Sequence, residues 1–168
     1  MKEIVIDMAN YNSKGTVFRR VAVRGIVKRG DKYLIIHSKY GDYKFPGGGQ
    51  NKGEDNMATL IREVKEETGY NVIESTAKEA FVTYEKRKGD PDDMMEMTSY
   101  YYYCEVEEDQ GERNLDEYEA EYGYEVKWML LDDIIAENDK VTDFENIPWV
   151  VRENIVMKEL RDSGERNR

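Results

Sequence analysis

Three glutamates, Glu63, Glu66 and Glu67, are spaced so that they share one face of a predicted helix. Residues three and four apart on a helix are neighbours, so the three carboxylates project together. Like charges at this spacing destabilise an isolated helix by about 0.2–0.5 kcal/mol per pair. A divalent cation would remove that repulsion, and Mg²⁺ prefers carboxylate and backbone oxygens together with substrate phosphates. The spacing therefore predicts a magnesium site suited to phosphate chemistry.

The residues around these glutamates supply the rest of such a site. An apolar stripe lies roughly 110° around the same helix and would dock it on the protein; it consists of Met57, Leu60, Ile61 and Val64. The preceding glycines 47–49 let the backbone approach a ligand closely, so a carbonyl there is a further candidate ligand. Gly69 is typical of the left-handed residue that ends a helix.

The order of residues from Gly48 to Tyr70 resembles the Nudix box. Glu54 follows Gly48 after five residues, and the run REVKEETGY begins seven residues later, at Arg62. A chance match at seven fixed positions is on the order of one in a million at background residue frequencies. Tyr70 stands where an aliphatic residue is commoner, but that side chain packs and does no chemistry. The chain is thus identified as a member of the Nudix hydrolase family, with a MutT-like pattern.

The resemblance implies a metal-dependent enzyme that cleaves a pyrophosphate bond in a nucleoside diphosphate linked to another group. The metal ligands would be Glu63, Glu66, Glu67 and the carbonyl of Gly47. Arg62 would orient Glu63 through a charge-assisted hydrogen bond, and Glu54 would brace the loop against the helix. Mg²⁺, for which Mn²⁺ could substitute, would neutralise phosphate oxygens and lower the pKa of the attacking water.

Nudix enzymes often place one more glutamate in the loop before the tryptophan of a late strand, as a metal ligand or general base. Trp128 is similar to that tryptophan. Glu121 lies nearest to the expected offset but one residue out of step, and Glu119 and Glu125 compete with it. Glu63 is the first choice for the base, because a carboxylate that touches both metal and water can do both jobs. Glu121 or a neighbour is the rival base.

Three residues outside the box are candidates for contacting the substrate. Arg20 lies on a predicted strand that often contacts substrate in this family, although edge-strand charges that prevent aggregation are the simpler interpretation. Lys44 could reach a phosphate or remain solvated. Asn146 lies in a segment, residues 144–148, that is similar to one in the MutT-type branch, where an asparagine reads a purine edge. Asn146 suits a helix cap equally well.

The composition limits the class of protein. A length of 168 residues suggests a single domain over residues 1–168, with residues 162–168 frayed. A net charge of −11 argues against binding duplex nucleic acid. The sequence contains no long apolar run and no secretory leader, which argues against membrane insertion or export. The single Cys104 has no internal disulfide partner, which fits the cytoplasm.

The apolar pattern and the resemblance together predict an α/β fold, a Nudix-type α/β/α sandwich with a mixed β-sheet. The predicted strands cover residues 3–8, 18–28, 32–38, 71–84, 98–106 and 125–131. Three helices are predicted: one after the glycines at 47–49, one over residues 132–138 and one from Pro148 to Leu160. Asp132 or Asp133 is the expected cap of the short helix. Residues 85–97 are predicted as a mobile loop, either a lid or a solvated hairpin, and residues 107–124 as an acidic loop. Two of the tyrosines at 100–103 should pack and two should face substrate or solvent.

The sequence thus predicts a Mg²⁺-dependent hydrolase that attacks a small nucleoside di- or triphosphate derivative with a metal-activated water. Small purine nucleotides are slightly favoured, through Asn146. The alternative is a Nudix-fold sensor or regulator that binds an ADP-ribose-like ligand without cleaving it. A Nudix-fold isomerase would need further acid–base residues that the sequence does not reveal. Oligomeric state, a homodimer included, is left open.

Overall fold

The computed structural model describes residues 1–164 as eight strands and four helices, with one further helical turn. The strands are β1 (Lys2–Asp7), β2 (Val17–Arg29), β3 (Lys32–His37), β4 (Tyr43–Lys44), β5 (Gly47–Gly49), β6 (Val72–Lys88), β7 (Met94–Val106) and β8 (Glu125–Leu130). The helices are α1 (Asn56–Thr68), α2 (Glu117–Glu121), α3 (Leu131–Asn138) and α4 (Trp149–Glu159), followed by the π-helical turn Leu160–Gly164. The tail predicted as frayed, residues 162–168, lies partly in this turn and, from residue 165, outside the described residues. Across residues 1–164, no helix combines the length and apolar character needed to cross a membrane.

The strands form a mixed sheet in the order β1-β6-β7-β2-β3-β4, with β5 beside β2 and β8 beside β3. Strands β1 and β6 run parallel, as do β2 and β7, whereas β6 and β7 form an antiparallel hairpin. Helix α1 buries Leu60 and Val64 in one apolar core. Helices α3 and α4 bury Ile134 and Met157 in a second core. The predicted α/β/α sandwich with a mixed sheet is therefore confirmed.

The stretch 85–97, predicted as a loop, is mostly strand. Strand β6 continues to Lys88 and β7 begins at Met94, so only five residues connect them. Glu85 and Arg87 are 2% and 9% exposed, because both point inward beneath α4. The sequence predicts a mobile loop here, either a lid or a solvated hairpin, whereas Glu85 is paired with Arg152, a residue far along the chain.

The four consecutive tyrosines of β7 pack on both faces of the sheet. Tyr101 and Tyr103 belong to the core beneath α3 and α4, and Tyr100 and Tyr102 belong to the core beneath α1. The prediction that one pair faces substrate or solvent is therefore wrong. The reason is that helices cover both faces of this central strand.

The ends of the later elements differ from the sequence interpretation. The stretch predicted as an acidic loop contains α2. Helix α3 begins after Leu130 without a side-chain cap, and Asp132 and Asp133 lie inside its first turn. Pro148 is the residue at the start of α4. Aspartates in a first turn still favour the helix, because they oppose its dipole without accepting a capping hydrogen bond.

Candidate functional site

Helix α1 carries the box glutamates and is fixed at both ends. Its first turn is capped by Asp55, whose side chain accepts a hydrogen bond from the Ala58 amide at 2.8 Å. Its last turn ends at Gly69, which adopts a φ of 82°, and a residue with a Cβ would be strained there. The predicted glycine stop is therefore confirmed.

Arg62 connects the loop, the glycine strand and two of the box glutamates. Its Nε and Nη2 donate to the Glu54 carboxylate at 2.7 and 2.9 Å, and Nη2 also donates to the Gly49 carbonyl at 2.9 Å. Its Nη1 donates to Glu63 at 2.8 Å and to Glu66 at 3.2 Å. This geometry has the form predicted from the sequence, with Arg62 beside Glu63 and Glu54 bracing the loop.

The Glu54 carboxyl is a stronger acid than usual, because Arg62 above all, and then the Asn51 amide and the Thr59 hydroxyl, lower its pKa from 4.5 to about 2. A depressed pKa contributes stability that is present above the ordinary value and lost as the pH falls through the folded value. We therefore expect the stability advantage of the wild type over E54Q to shrink between pH 4.5 and pH 2. Chemical unfolding across this range measures that advantage. A ¹³C NMR titration of Glu54 with a midpoint near 4.5 would contradict the lowered pKa on which the prediction depends.

Glu63 lies against the glycine strand. A Cβ built on Gly48 would stand 2.5 Å from the Glu63 Oε2 atom, so only glycine permits this approach. Burial first, and then the charge of Glu67, raise the pKa of Glu63. The carboxylate is thus held in a site where negative charge is only partly compensated.

Glu67 is fully buried and forms the base of the site. It accepts hydrogen bonds from the Gly47 amide at 2.7 Å and from Lys44 Nζ at 3.2 Å. Lys44 is itself buried and lies 4.6 Å from the centroid of the Tyr124 ring. The prediction that Lys44 remains solvated is therefore wrong. Its ammonium group, a candidate for binding a phosphate, is already paired with Glu67.

The loop glutamate that reaches the box is Glu119, and not Glu121. Glu119 is 5% exposed, and burial, followed by the neighbouring charge of Glu67 and a hydrogen bond to it, raises its pKa to about 8. Glu121 and Glu125 are exposed. The placement follows from a capping box, in which Asp116 and Glu119 hydrogen-bond each other's backbone amides. That four-residue pattern is the sequence signal which identifies the start of α2.

The oxygen atoms of this cleft are of the chemical type that a divalent cation binds. They are carboxylate oxygens, which suit Mg²⁺ or Mn²⁺. Burial first, and then the charge of Glu67, raises the pKa values of Glu63 and Glu119, so a bound cation would favour their ionised forms. Within residues 1–164, no three acidic, histidine or cysteine side chains are arranged as they would be around a bound metal. Arg62 and Lys44 instead compensate part of the charge.

Two adjoining cavities meet at the glycine strand. The smaller, of about 820 Å³, is lined by Glu63 and Glu66, and the larger has a volume of about 1290 Å³. Gly48, Arg20 and Tyr118 line both cavities. A ligand could therefore place its phosphates beside the carboxylates and extend into the larger cavity.

Arg20 and Asn146 both line the larger cavity. Among the described residues, Arg20 has no hydrogen-bond partner, so its guanidinium is available to a ligand. Asn146 is exposed, and its Nδ2 donates to Asp143 at 2.9 Å. Because α4 begins only after Pro148, the expectation that Asn146 caps this helix is wrong.

Comparison with known proteins identifies relatives of the fold. The NUDIX domain family model matches residues 18–150. A NUDIX hydrolase from Nitrosomonas europaea is similar with a TM-score of 0.60 and 19% identity, covering 83% of this chain and 90% of that one. A MutT protein from Bacillus halodurans has a TM-score of 0.57 and 16% identity over 86% and 83% of the two chains. An ADP-ribose pyrophosphatase from Streptococcus suis has a TM-score of 0.50 and 17% identity over 86% and 93%. A search of curated protein sequences gave no significant match.

Proposed function

The chain belongs to the NUDIX domain family of hydrolases, and on this premise we propose that it cleaves a pyrophosphate linkage in a nucleoside di- or triphosphate derivative, with Mg²⁺ as its cofactor. The observation that carries the proposal is the position of the glutamates. Glu63, Glu66 and Glu119 line one cleft that opens into a cavity large enough for a nucleotide derivative. Members of this family generally use a divalent metal, and the donor chemistry of the cleft agrees with that requirement.

Each residue of the cleft has a task in this proposal. When bound, Mg²⁺, or Mn²⁺ in its place, would neutralise phosphate oxygens and lower the pKa of a water. The residues that would hold the ion are Glu63, Glu66, Glu67 and the Gly47 carbonyl. Glu63 or Glu119 would accept the proton of the attacking water, since both carboxylates are partly desolvated. Arg62 keeps Glu63 and Glu66 in place, and Arg20 would bind a phosphate.

Glu119 and Glu121 form a matched pair for testing the loop assignment. We expect E119Q to lower kcat by about 10–100-fold, because it replaces an ionisable carboxyl group beside a proposed metal ligand with a neutral amide. We expect E121Q to keep wild-type kcat, because Glu121 is exposed and lies outside both cavities. Steady-state kinetics at saturating Mg²⁺ measure both effects, and the reverse order of sensitivity would contradict the assignment.

A substrate panel tests the function itself. Purified protein with Mg²⁺ should hydrolyse at least one member of a set of oxidised nucleotides, dinucleoside polyphosphates, nucleotide sugars, ADP-ribose and capped RNA ends. Mass spectrometry should identify two phosphorylated products, and EDTA should abolish their formation. Failure on the whole panel would contradict the proposal.

The same panel separates the enzyme from a binding protein. Tight ADP-ribose binding without turnover and without metal dependence would favour a sensor or regulator. We further propose that residues 1–168 act as one domain in the cytoplasm on a small-molecule substrate, without duplex nucleic acid. A homodimer stays a prediction, to be tested by light scattering.

A further inference from the structure

The inner wall of the larger cavity is unusually basic for a protein with a net charge of −11. Four arginines line this cavity, and three of them are buried, Arg24, Arg87 and Arg152, which we call the arginine cluster. They are 5%, 9% and 1% exposed, respectively. Charged side chains are rarely buried without partners, so each guanidinium requires a physical explanation.

The fold brings these arginines together from three separate elements. Arg24 lies on β2 opposite Tyr101 of β7, and Arg87 lies on β6 opposite Met95 of the same strand. Because alternate residues of a strand share a face, all four side chains point to the same side of the sheet. Helix α4 covers that side and contributes Arg152.

Glu85 can neutralise only part of this positive charge. One of its oxygens accepts from Arg87 Nε at 3.0 Å and the other from Arg152 Nη1 at 2.9 Å. A second buried carboxylate, Glu153, accepts hydrogen bonds from the Tyr101 hydroxyl and a backbone amide, and its charge acts on Arg152, so three guanidiniums share two carboxylates. Burial, and then the charges of Arg152 and Arg24, lower the pKa of Arg87, although Glu85 opposes this effect.

Arg24 is the member without an anionic partner. Its Nη2 lies 3.6 Å from the Met97 sulfur, a weak acceptor, and its buried Nε has no partner at all. Within residues 1–164 no carboxylate forms an ion pair with Arg24. A buried guanidinium left in this condition is costly, and an anion from outside would remove the cost.

We propose that the arginine cluster binds a second anionic group of the substrate, a phosphate or a carboxylate separate from the diphosphate that is cleaved. The inference rests on the proposed function, and it narrows the substrate class to nucleotide derivatives that carry such a group. The geometry agrees, because Gly48 and Arg20 line both this cavity and the smaller cavity beside Glu63 and Glu66, which we call the carboxylate cleft. A planar guanidinium suits the oxygens of either group, since it donates two parallel hydrogen bonds.

The alternative is that the cluster is only a structural network around Glu85. That alternative explains Arg152 and Arg87, which hold Glu85 between them. It leaves Arg24 unexplained, since a purely structural role would be served by an apolar side chain of similar volume. A neutral group such as a purine would likewise leave the Arg24 Nε without a charged acceptor.

Binding of inorganic phosphate to the metal-free protein tests the proposal. The titration is done in EDTA at constant ionic strength and followed by ³¹P NMR, so that the box carboxylates cannot bind phosphate through a metal. We expect saturable binding to the wild type, weakened by about tenfold or more in R24M and in R87M, the factor that corresponds to one charged hydrogen bond. The matched control is R19Q, since Arg19 lies on the same strand with a side chain 73% exposed, and this variant should bind like wild type.

A parallel titration with ¹³C-labelled acetate distinguishes the two sources of the anion. Saturable acetate binding without phosphate binding, with the same dependence on both arginines, would assign a carboxylate to the cluster. If neither anion binds, or if R24M and R87M bind as well as R19Q, the cluster is structural and the inference is overturned. Thermal unfolding checks that each variant is folded, and R87M alone decides the outcome should R24M unfold. Because no turnover is measured, this result is independent of whether the protein hydrolyses the substrate panel.

Discussion

An E66Q variant is expected to lose activity by on the order of 10²–10³ in kcat, the loss typical of removing one electrostatic group that stabilises a transition state. Glu66 lines the carboxylate cleft, with a side chain that is 32% exposed. Its Oε2 atom forms an ion pair with Arg62 Nη1, at a distance of 3.2 Å. Glutamine keeps the size of the side chain and removes the charge that would hold a cation, so chemistry should suffer while the fold remains.

Kinetics over a range of Mg²⁺ concentrations measure this effect, and thermal unfolding checks the fold. E117Q is the matched control, because Glu117 is an exposed glutamate on α2 that lines neither cavity. We expect E66Q to need more Mg²⁺ for its residual activity and E117Q to behave as wild type. A wild-type kcat in E66Q would show that this carboxylate does not participate.

Glu67 is expected to behave differently from Glu66, although both belong to the box. Glu67 is fully buried and accepts hydrogen bonds from the Gly47 amide and from Lys44. E67Q leaves the Lys44 ammonium buried without a counterion, so both activity and stability should fall. The sequence predicts the same role, that of a metal ligand, for both positions. Only the burial of Glu67 distinguishes them.

The largest effect on stability is expected from R152M, at about 3–5 kcal/mol, because the change removes one partner of a buried ion pair. Arg152 donates to Glu85 at 2.9 Å and to the Tyr101 hydroxyl at 3.0 Å, and it is 1% exposed. Methionine would fill most of the volume but would leave the Glu85 carboxylate with Arg87 as its remaining charged partner. The ion pair connects α4 to β6 and so contributes to the attachment of the last helix.

Denaturant and thermal unfolding of R152M measure this loss, which corresponds to about 2–4 °C in Tm for each kcal/mol in a chain of this size. K158M is a suitable control, since Lys158 lies on the same helix and forms an exposed ion pair with Asp139. That variant should change Tm far less, because exposed pairs contribute little. Equal effects of the two substitutions would contradict a special role for the buried pair.

The local parts of the site could be predicted from the sequence. The box helix, its glycine stop and the shared face of its glutamates depend on residues three to fifteen positions apart, and helical periodicity fixes their relation. The family and the α/β/α fold class followed from the same motif and are confirmed. The contacts of Arg62 with Glu54 and Glu63 also lie within this local stretch.

The errors came from residues whose partners are distant in the chain. The sequence leaves Lys44 either to reach a phosphate or to remain solvated, whereas its pairing with Glu67 depends on a tertiary contact between β4 and α1. The loop predicted around Glu85 is wrong, because the buried partner of this carboxylate, Arg152, lies on the last helix. The choice of Glu119 over Glu121 needed the capping box to be recognised as the start of α2.

By itself, the sequence determined which residues could bind a metal and how the helix presents them, because these features follow from spacing along one element. Only the tertiary structure decided which charges are buried, which loop glutamate meets the helix, and that Arg24, Arg87 and Arg152 share one wall. The physical reason is that the cost of a buried charge depends on neighbours supplied by other strands and helices. Local periodicity carries no information about those neighbours.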